Sequence, residues 1–416
     1  MKQYKITLPT NINTTIDLPA SKSISNRALI IKALTQDKTI LTNVSTCDDT
    51  QVIVDALREM PEVIDIHAAG TAMRFMTAYL AVTEGCHIIT GTERMRQRPI
   101  APLVDALRQM GAEIEYLEKE GFPPLRINGK QLEGGHVEID GNISSQFITA
   151  LLLIAPTLPQ GMELKINENL TSRPYIDLTL DIMHDFGADA NWTSENTILV
   201  EPKKYEARTF AIESDWSAAS YWYEILALCP NTDSEIRLKG LTDGSRQGDS
   251  VVRYLFSMLG VKTTFGKDDD DTPVVVLKRH NCTLPRLDYD FKNQPDIAQT
   301  FVVTCCLLGI PFRFTGLSTL KIKETDRLVA LKNEIRKLGF VIREENESEL
   351  IWDGERCEKE KTPVISTYKD HRMAMPFAAA SISIPEINID NPDVVNKSYP
   401  SFWNDLKGAG AYIIDN

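Results

Sequence analysis

The sequence has no long apolar run, no paired cysteines and no excess of basic residues. None of its stretches approaches the length of a bilayer span. The opening Met1-Lys2-Gln3-Tyr4-Lys5-Ile6-Thr7 lacks the apolar segment of a secretory signal. The 7 cysteines are scattered and odd in number, with no C-x-x-C pair. A disulfide framework or zinc site is therefore not expected, and a reducing, cytoplasmic setting fits. Cys305-Cys306 lies in an apolar run and reads as core packing. The net charge of −13 argues against nucleic acid or an anionic membrane as partner. It leaves room for small anionic ligands, because local basic clusters can oppose the overall field.

What is present is an ordinary globular composition, 43% hydrophobic and 25% charged, over 416 residues. That length suits two domains with ample core. An internal repeat runs through it: a helical pattern ends at a glycine, and short strands around a polar turn usually follow. Copies pass through Met110-Gly111-Ala112, Phe186-Gly187-Ala188, Leu259-Gly260-Val261, Leu338-Gly339-Phe340 and Ala409-Gly410-Ala411, with a degenerate first copy at Leu57 to Ile66. The period of roughly 70–80 residues is too long for a solenoid and predicts small α/β subdomains. Six such units suit two pseudo-threefold domains better than a doubly wound sheet. Gly266 to Asp271 reads as a solvated hairpin turn.

Several predicted helices begin with basic or hydroxyl-bearing residues. Lys321-Ile322-Lys323-Glu324-Thr325-Asp326-Arg327 precedes a helical run from Leu328 to Leu338, with Thr325 or the residues before it as the expected cap. Ser21 to Arg27 precedes Ala28 to Leu34, Ala69 to Arg74 opens the next helix, and Arg94, Arg96 and Arg98 cluster before Pro99. Gly141 to Gln146 starts the apolar run from Phe147 to Ala155, and Lys369 to Met373 starts another. Cations at a helix N-terminus oppose its dipole unless an anion sits among them. Each site alone reads equally well as a cap or a solvated charge. Their repetition predicts helix entrances that together bind anions.

In order along the chain stand Ser21-Lys22-Ser23-Ile24-Ser25-Asn26-Arg27, Ala69-Gly70-Thr71-Ala72-Met73-Arg74, Arg98-Pro99-Ile100 and Ser144-Ser145-Gln146. Pro174-Tyr175-Ile176-Asp177, Lys323-Glu324-Thr325-Asp326-Arg327 and Asp370-His371-Arg372-Met373-Ala374-Met375 follow. This ordered set resembles the 5-enolpyruvylshikimate-3-phosphate synthase family of enolpyruvyl transferases over almost the whole chain. The resemblance implies an α/β fold of two domains, each of three βαβαββ-type units with pseudo-threefold symmetry. It places residues 1–19 and 214–416 in a discontinuous domain and 20–213 in an inserted one, with crossovers near Leu18–Ala20 and Glu213–Asp215 and the active site in the interdomain cleft.

The reaction it implies is transfer of the enolpyruvyl group of phosphoenolpyruvate to the 5-hydroxyl of shikimate 3-phosphate, a step toward chorismate and the aromatic amino acids. Phosphate leaves through a tetrahedral intermediate. Carried over by motif, Ser23, Arg27, Ser144, Ser145, Gln146, Ser172, Tyr175, Asp296 and Lys323 contact shikimate 3-phosphate. Lys22, Gly70, Arg98, Gln146, Arg327, Arg372 and Lys397 surround phosphoenolpyruvate. Glu324 resembles the family's proton donor and Asp296 its base, and Lys22 stabilises the phosphate leaving group. No metal or organic cofactor is implied, and a monomer is expected.

The sequence departs from the family pattern at Ala68, where an asparagine is usual, and at Phe75, where proline is common. Thr319 stands where asparagine is frequent, Lys321 replaces a frequent arginine, and the first unit is shortened around Glu59 to Ile66. Two other readings remain open. One is an enolpyruvyl transferase acting on UDP-N-acetylglucosamine, which typically carries a loop cysteine that Arg94 to Arg98 lacks. The other is a non-catalytic phosphometabolite-binding protein, which predicts loss of the carboxylates that Asp296 and Glu324 retain.

Overall fold

The computed structural model describes residues 2–35, 38–141, 144–167 and 170–416. Asn142 and Ile143, in one of the expected helix entrances, lie outside the described residues. The chain separates into two compact units, one of Met1–Pro19 with Glu213–Asn416 and one of Ala20–Ile212. Glu213 is tied into the first unit, its carboxylate accepting from Trp216 Nε1 at 3.2 Å, Ser245 Oγ at 2.8 Å and Gln247 Nε2 at 2.9 Å.

In the first unit the described strands form three four-stranded sheets. One runs 364–365, 387–390, 3–7, 412–415; another 259–267, 273–283, 235–239, 13–17; the third 287–290, 312–315, 349–352, 343–345. The first two are completed by the N-terminal strands: Gln3–Thr7 lies antiparallel between two strands from the end of the chain, and Asn13–Asp17 runs parallel to Glu235–Lys239. Gly266 pairs with Val274 and Lys267 with Pro273 across the hairpin whose tip is the acidic turn.

The second unit has two four-stranded sheets, 63–65, 85–90, 125–129, 113–116 and 190–194, 197–200, 162–167, 135–140. Its third is reduced to two parallel strands, Ile40–Thr42 and Thr209–Ala211. This is the structural result of the shortening near Glu59 to Ile66. The helix Asp48–Glu59 is followed by one short strand, Val63–Asp65, which pairs with Gly85–Thr90 instead of returning to Ile40–Thr42.

The glycines that punctuate the repeat all take left-handed backbone: Gly111, Gly187, Gly260, Gly339 and Gly410 have φ between 82° and 96°. Only glycine adopts this conformation without steric cost. Gly111, Gly187, Gly339 and Gly410 each follow a helix C-cap as a stop, whereas Gly260 sits at a register shift in the strand Leu259–Lys267. In the degenerate copy Met60 occupies the equivalent C-cap at φ 41°, a conformation uncommon for a bulky residue.

Each unit is built around three helices that are apolar on nearly all sides and pack pairwise on one another. They are Lys22–Thr35, Gly70–Val82 and Ser145–Ile154 in the second unit, and Trp216–Leu228, Ala298–Leu308 and His371–Ala379 in the first. Helices with no polar face are stable only inside a core. Ser145–Ile154, for example, buries Phe147 through Ile154 without interruption. Amphipathic helices such as Asp48–Glu59, Ala101–Gln109 and Arg327–Lys337 carry the outward polar surface. Because the inner helices are fixed by their apolar bodies, the polar residues at their N-termini are held on rigid supports.

Candidate active site

In the first unit six of the expected site residues form one ion-pair network. Asp326, and not Thr325, caps the helix Arg327–Lys337, its carboxylate accepting from the backbone N–H groups of Leu328 at 3.1 Å and Val329 at 3.2 Å. An aspartate with a free carboxylate opposite two orphan N–H groups is a stronger acceptor than a threonine hydroxyl. The cap leaves Arg327 as the first helical residue, turned inward and 1% exposed.

The Arg327 guanidinium engages three carboxylates. Nε donates to Asp370 Oδ2 at 2.8 Å, Nη2 to Asp370 Oδ1 at 3.2 Å and Glu324 Oε2 at 3.1 Å, and Nη1 to Asp296 Oδ1 at 3.3 Å. Burial acts to lower its pKa, but Asp370, Glu324 and Asp296 outweigh burial and raise it. Glu324 lies between two cations, because its other oxygen accepts from Lys397 Nζ at 2.6 Å. Asp296 sits in the short turn Pro295–Ile297 and faces Arg327, Arg372 Nη2 at 3.1 Å and Lys323 Nζ at 3.6 Å. Arg372 also donates from Nη1 to the Asp296 carbonyl at 3.0 Å and from Nη2 to Ser217 Oγ at 3.4 Å. Asp370 caps the inner helix His371–Ala379 and accepts from the Arg372 backbone N–H at 2.9 Å.

The conflict between basic residues and helix dipoles is therefore resolved in part from within. Four cations, Lys323, Arg327, Arg372 and Lys397, are interleaved with Asp296, Glu324 and Asp370. Two of these carboxylates are members of the expected set. Asp370 was legible as a helix cap but not as a second partner of Arg327, 43 residues away in sequence.

In the second unit the expected residues lie at the entrances of the inner helices and of two outer helices, Ala101–Gln109 and Arg173–Asp185. Lys22 Nζ pairs with Asp49 Oδ2 at 3.0 Å. Asp49 lies in the first turn of Asp48–Glu59 and is almost fully buried, a functional candidate that sequence reasoning passed over because acidic residues in a first helical turn are common. Gly70 opens its helix directly against Arg98: a Cβ at Gly70 would stand 2.6 Å from Arg98 Nη1. Arg74 fixes both sides of this contact, donating to the Gly70 carbonyl at 3.2 Å and the Pro99 carbonyl at 2.9 Å. Ser144 caps its helix by accepting from the Gln146 N–H at 3.3 Å, and Ser145 is buried beside it. Gln146 Nε2 reaches across to Thr71 Oγ1 at 3.1 Å.

Arg27 is buried and anchored to several elements. It donates to Thr179 Oγ1 at 2.8 Å, the Ser23 carbonyl at 2.8 Å, the Tyr175 carbonyl at 3.0 Å and Thr149 Oγ1 at 3.4 Å. Its guanidinium lies 5.6 Å from the centroid of the Phe75 ring, so the aromatic departure at 75 forms one wall of the arginine's seat. Burial pulls its pKa down to about 10, which leaves it charged at neutral pH. Ser172, with φ 58°, precedes the helix Arg173–Asp185 that carries Tyr175. Among the described residues no group of three or more histidine, cysteine or acidic side chains is arranged to hold a metal ion.

Comparison with known proteins assigns the family. The family model for EPSP synthase (3-phosphoshikimate 1-carboxyvinyltransferase) matches residues 6–65 and 59–406. The chain belongs to the EPSP synthase family. It is 57% identical over 408 residues to the 3-phosphoshikimate 1-carboxyvinyltransferase of Bacteroides fragilis (strain YCH46), covering 98% of each chain. To the Histophilus somni (strain 2336) protein of the same name it is 35% identical over 438 residues, covering 98% of this chain and 99% of the other. Among solved structures, EPSP synthase from Acinetobacter baumannii superposes with a TM-score of 0.78 at 21% identity over the full length of both chains. The enolpyruvyl transferase NikO from Streptomyces tendae gives 0.72 at 14% identity, over 100% of this chain and 99% of that one. The α/β two-domain fold expected from the sequence is thus the fold of EPSP synthases. No helix among the described residues is long and apolar enough to cross a membrane.

Proposed function

We propose that this chain is a 3-phosphoshikimate 1-carboxyvinyltransferase. It transfers the enolpyruvyl group of phosphoenolpyruvate to the 5-hydroxyl of shikimate 3-phosphate and releases phosphate. The observation that carries the assignment of roles is the pair of carboxylates, Asp296 and Glu324, held by one buried arginine, Arg327, among further cations. Carboxylates for proton transfer and arginines and lysines for anion binding are what an addition–elimination between two phosphorylated substrates requires.

In this reading the expected residues divide by substrate. Lys22, Gly70, Arg98, Gln146, Arg327, Arg372 and Lys397 surround phosphoenolpyruvate, with Lys22 also countering charge on departing phosphate. Ser23, Arg27, Ser144, Ser145, Gln146, Ser172, Tyr175, Asp296 and Lys323 hold shikimate 3-phosphate. Arg27 contributes charge and fixes Ser23 and Tyr175, since most of its donors are already engaged within the protein. Asp296 takes the proton of the attacking hydroxyl, and Glu324 gives one to the methylene carbon. Substrate anions replace the internal carboxylates as partners of Arg327 and Lys397, which frees Glu324 to carry its proton. The tetrahedral adduct then expels phosphate. No cofactor is part of this scheme, and the enzyme acts as a cytoplasmic monomer.

The test is phosphate release from phosphoenolpyruvate in the presence of shikimate 3-phosphate, beside a UDP-N-acetylglucosamine control. Turnover with the second acceptor and none with the first would overturn the assignment.

A further inference from the structure

The ion-pair network has a fourth carboxylate that the reaction scheme leaves without a task. Asp249, in the short turn Gly248–Val251, is 4% exposed. It accepts a hydrogen bond from Ser217 Oγ, in the first turn of the inner helix Trp216–Leu228. Ser217 Oγ in turn accepts from Arg372 Nη2 at 3.4 Å, and the same Nη2 donates to Asp296 Oδ2 at 3.1 Å. A continuous chain of polar contacts therefore runs from Asp249 through Ser217 and Arg372 to the proposed base.

We propose that Asp249, acting through Ser217, is a positioning residue that orients the Arg372 guanidinium and keeps Asp296 a competent base. The inference rests on the assignment of Asp296 as base and Arg372 as a phosphoenolpyruvate ligand. Three cations within 3.6 Å of Asp296 favour its proton-free form and thereby weaken it as a proton acceptor. A further negative charge in the same buried group offsets part of that field. The ionised Asp249 also commits the Ser217 proton to itself, which leaves the serine lone pairs for Arg372.

The surroundings of Asp249 are consistent with electrical coupling. Burial, then the charge of Asp296, pushes its pKa up to about 6, and Asp215 adds to this, while Arg372 and the Ser217 hydroxyl oppose it. Tyr289, on the strand Leu287–Asp290, senses the Asp249 charge as well.

The experiment measures kcat/KM against pH for the full-length wild-type chain and for D249N, S217A, S217T and D296N, with thermal unfolding of each. D249N keeps the shape of the side chain and removes its charge. Asp249 is ionised above about pH 6 and neutral below it, so the wild-type profile should bend near pH 6 and that of D249N should not. A folded D249N that keeps the wild-type bend would overturn the proposal. S217A, which keeps the Asp249 charge but breaks the relay, should raise KM for phosphoenolpyruvate several-fold with a smaller effect on kcat, and S217T should restore it. An unchanged KM in S217A, or no recovery in S217T, would overturn the positioning role even if D249N does not fold. D296N tells the two failures apart. Its near-normal turnover would remove the base assignment itself, whereas its inactivity beside an unchanged D249N profile would remove only the role of Asp249.

Discussion

Arg327 shows how the same residue serves a site and a fold. The basic helix entrances suggest like charges waiting for substrate, so that removing one would leave the unliganded protein no less stable. At Arg327 the structure reverses that expectation, because its guanidinium is buried against Asp370, Glu324 and Asp296. Arg327→Ala takes the arginine from buried Asp370 and one of the cations from each of Glu324 and Asp296, and should lower stability by about 3–5 kcal/mol, the scale of breaking a buried pair. Urea unfolding without ligand measures it, and a midpoint equal to wild type would contradict the network. Arg98 makes no ion pair among the described residues. Arg98→Ala should therefore cost affinity for phosphoenolpyruvate, by roughly 1.5–3 kcal/mol, and little stability.

Two further residue-level outcomes bear on the chemistry. Gly70→Ala places a methyl group against Arg98 Nη1. It should raise KM for phosphoenolpyruvate roughly tenfold, equivalent to one charged hydrogen bond, while KM for shikimate 3-phosphate stays near wild type. Steady-state titration of each substrate separates the two. Glu324→Gln and Asp296→Asn should each depress turnover by roughly 10²–10⁴-fold. Glu324→Gln should also abolish solvent-hydrogen incorporation into the methylene group of phosphoenolpyruvate. Near-normal turnover in that variant would reject Glu324 as the donor and direct attention to His371 or Lys397.

At the scale of the element, the inner helices explain what could be read from the chain and what could not. Their uninterrupted apolar bodies and their basic or hydroxyl-bearing starts are contiguous in sequence, so helices and candidate ligands at positions such as 22–27, 144–146 and 371–372 were legible together. The partners of those ligands come from elsewhere. Asp49, Asp249 and Asp370 each sit at or near the start of a turn or helix, where an acidic residue is an ordinary cap or dipole complement. Nothing local distinguishes a cap from a carboxylate that also neutralises an arginine dozens of residues away. The reduced two-stranded sheet was visible only as a shortened repeat, because strand pairing is decided by which edge is within reach.

One inner helix also carries a titration of its own. Glu224 lies in Trp216–Leu228 and is fully buried. Burial pushes its pKa well above the ordinary carboxylate value of 4.5, with the Thr304 hydroxyl opposing in part. The folded state thus keeps a proton that the unfolded state has released. The associated stability is complete below about pH 4.5 and is lost as pH rises toward the folded value, at about 1.4 kcal/mol per pH unit. Glu224→Gln cannot titrate, so its stability relative to wild type should grow with pH between 5 and 8 (roughly the window this sign of shift sets). Urea unfolding of both proteins across that range tests this, and parallel curves would mean that Glu224 is ionised in the folded protein.

At the scale of the whole molecule, the hydrophobic residues divide into two cores with no shared member, one in each unit. The second unit is moreover one continuous segment, Ala20–Ile212. A fragment of those residues should fold by itself, with a cooperative thermal transition and protected amides in its inner helices. A non-cooperative melt would show that its core is insufficient alone. The first unit has no such independence, because residues 1–19 supply strands to two of its sheets.

That arrangement sets an order of events during synthesis on the ribosome. Gln3–Thr7 is made before the inserted unit, yet its neighbours, Ile387–Asp390 and Tyr412–Asp415, are translated after it. At the usual elongation rate of about 5–20 residues per second, that strand waits on the order of 20–80 s for its partners. The inserted unit emerges complete well before then and can fold while still tethered. The nascent chain thus carries a finished unit and, preceding it, an unpaired strand, the segment that a chaperone on the emerging polypeptide would have most reason to shield.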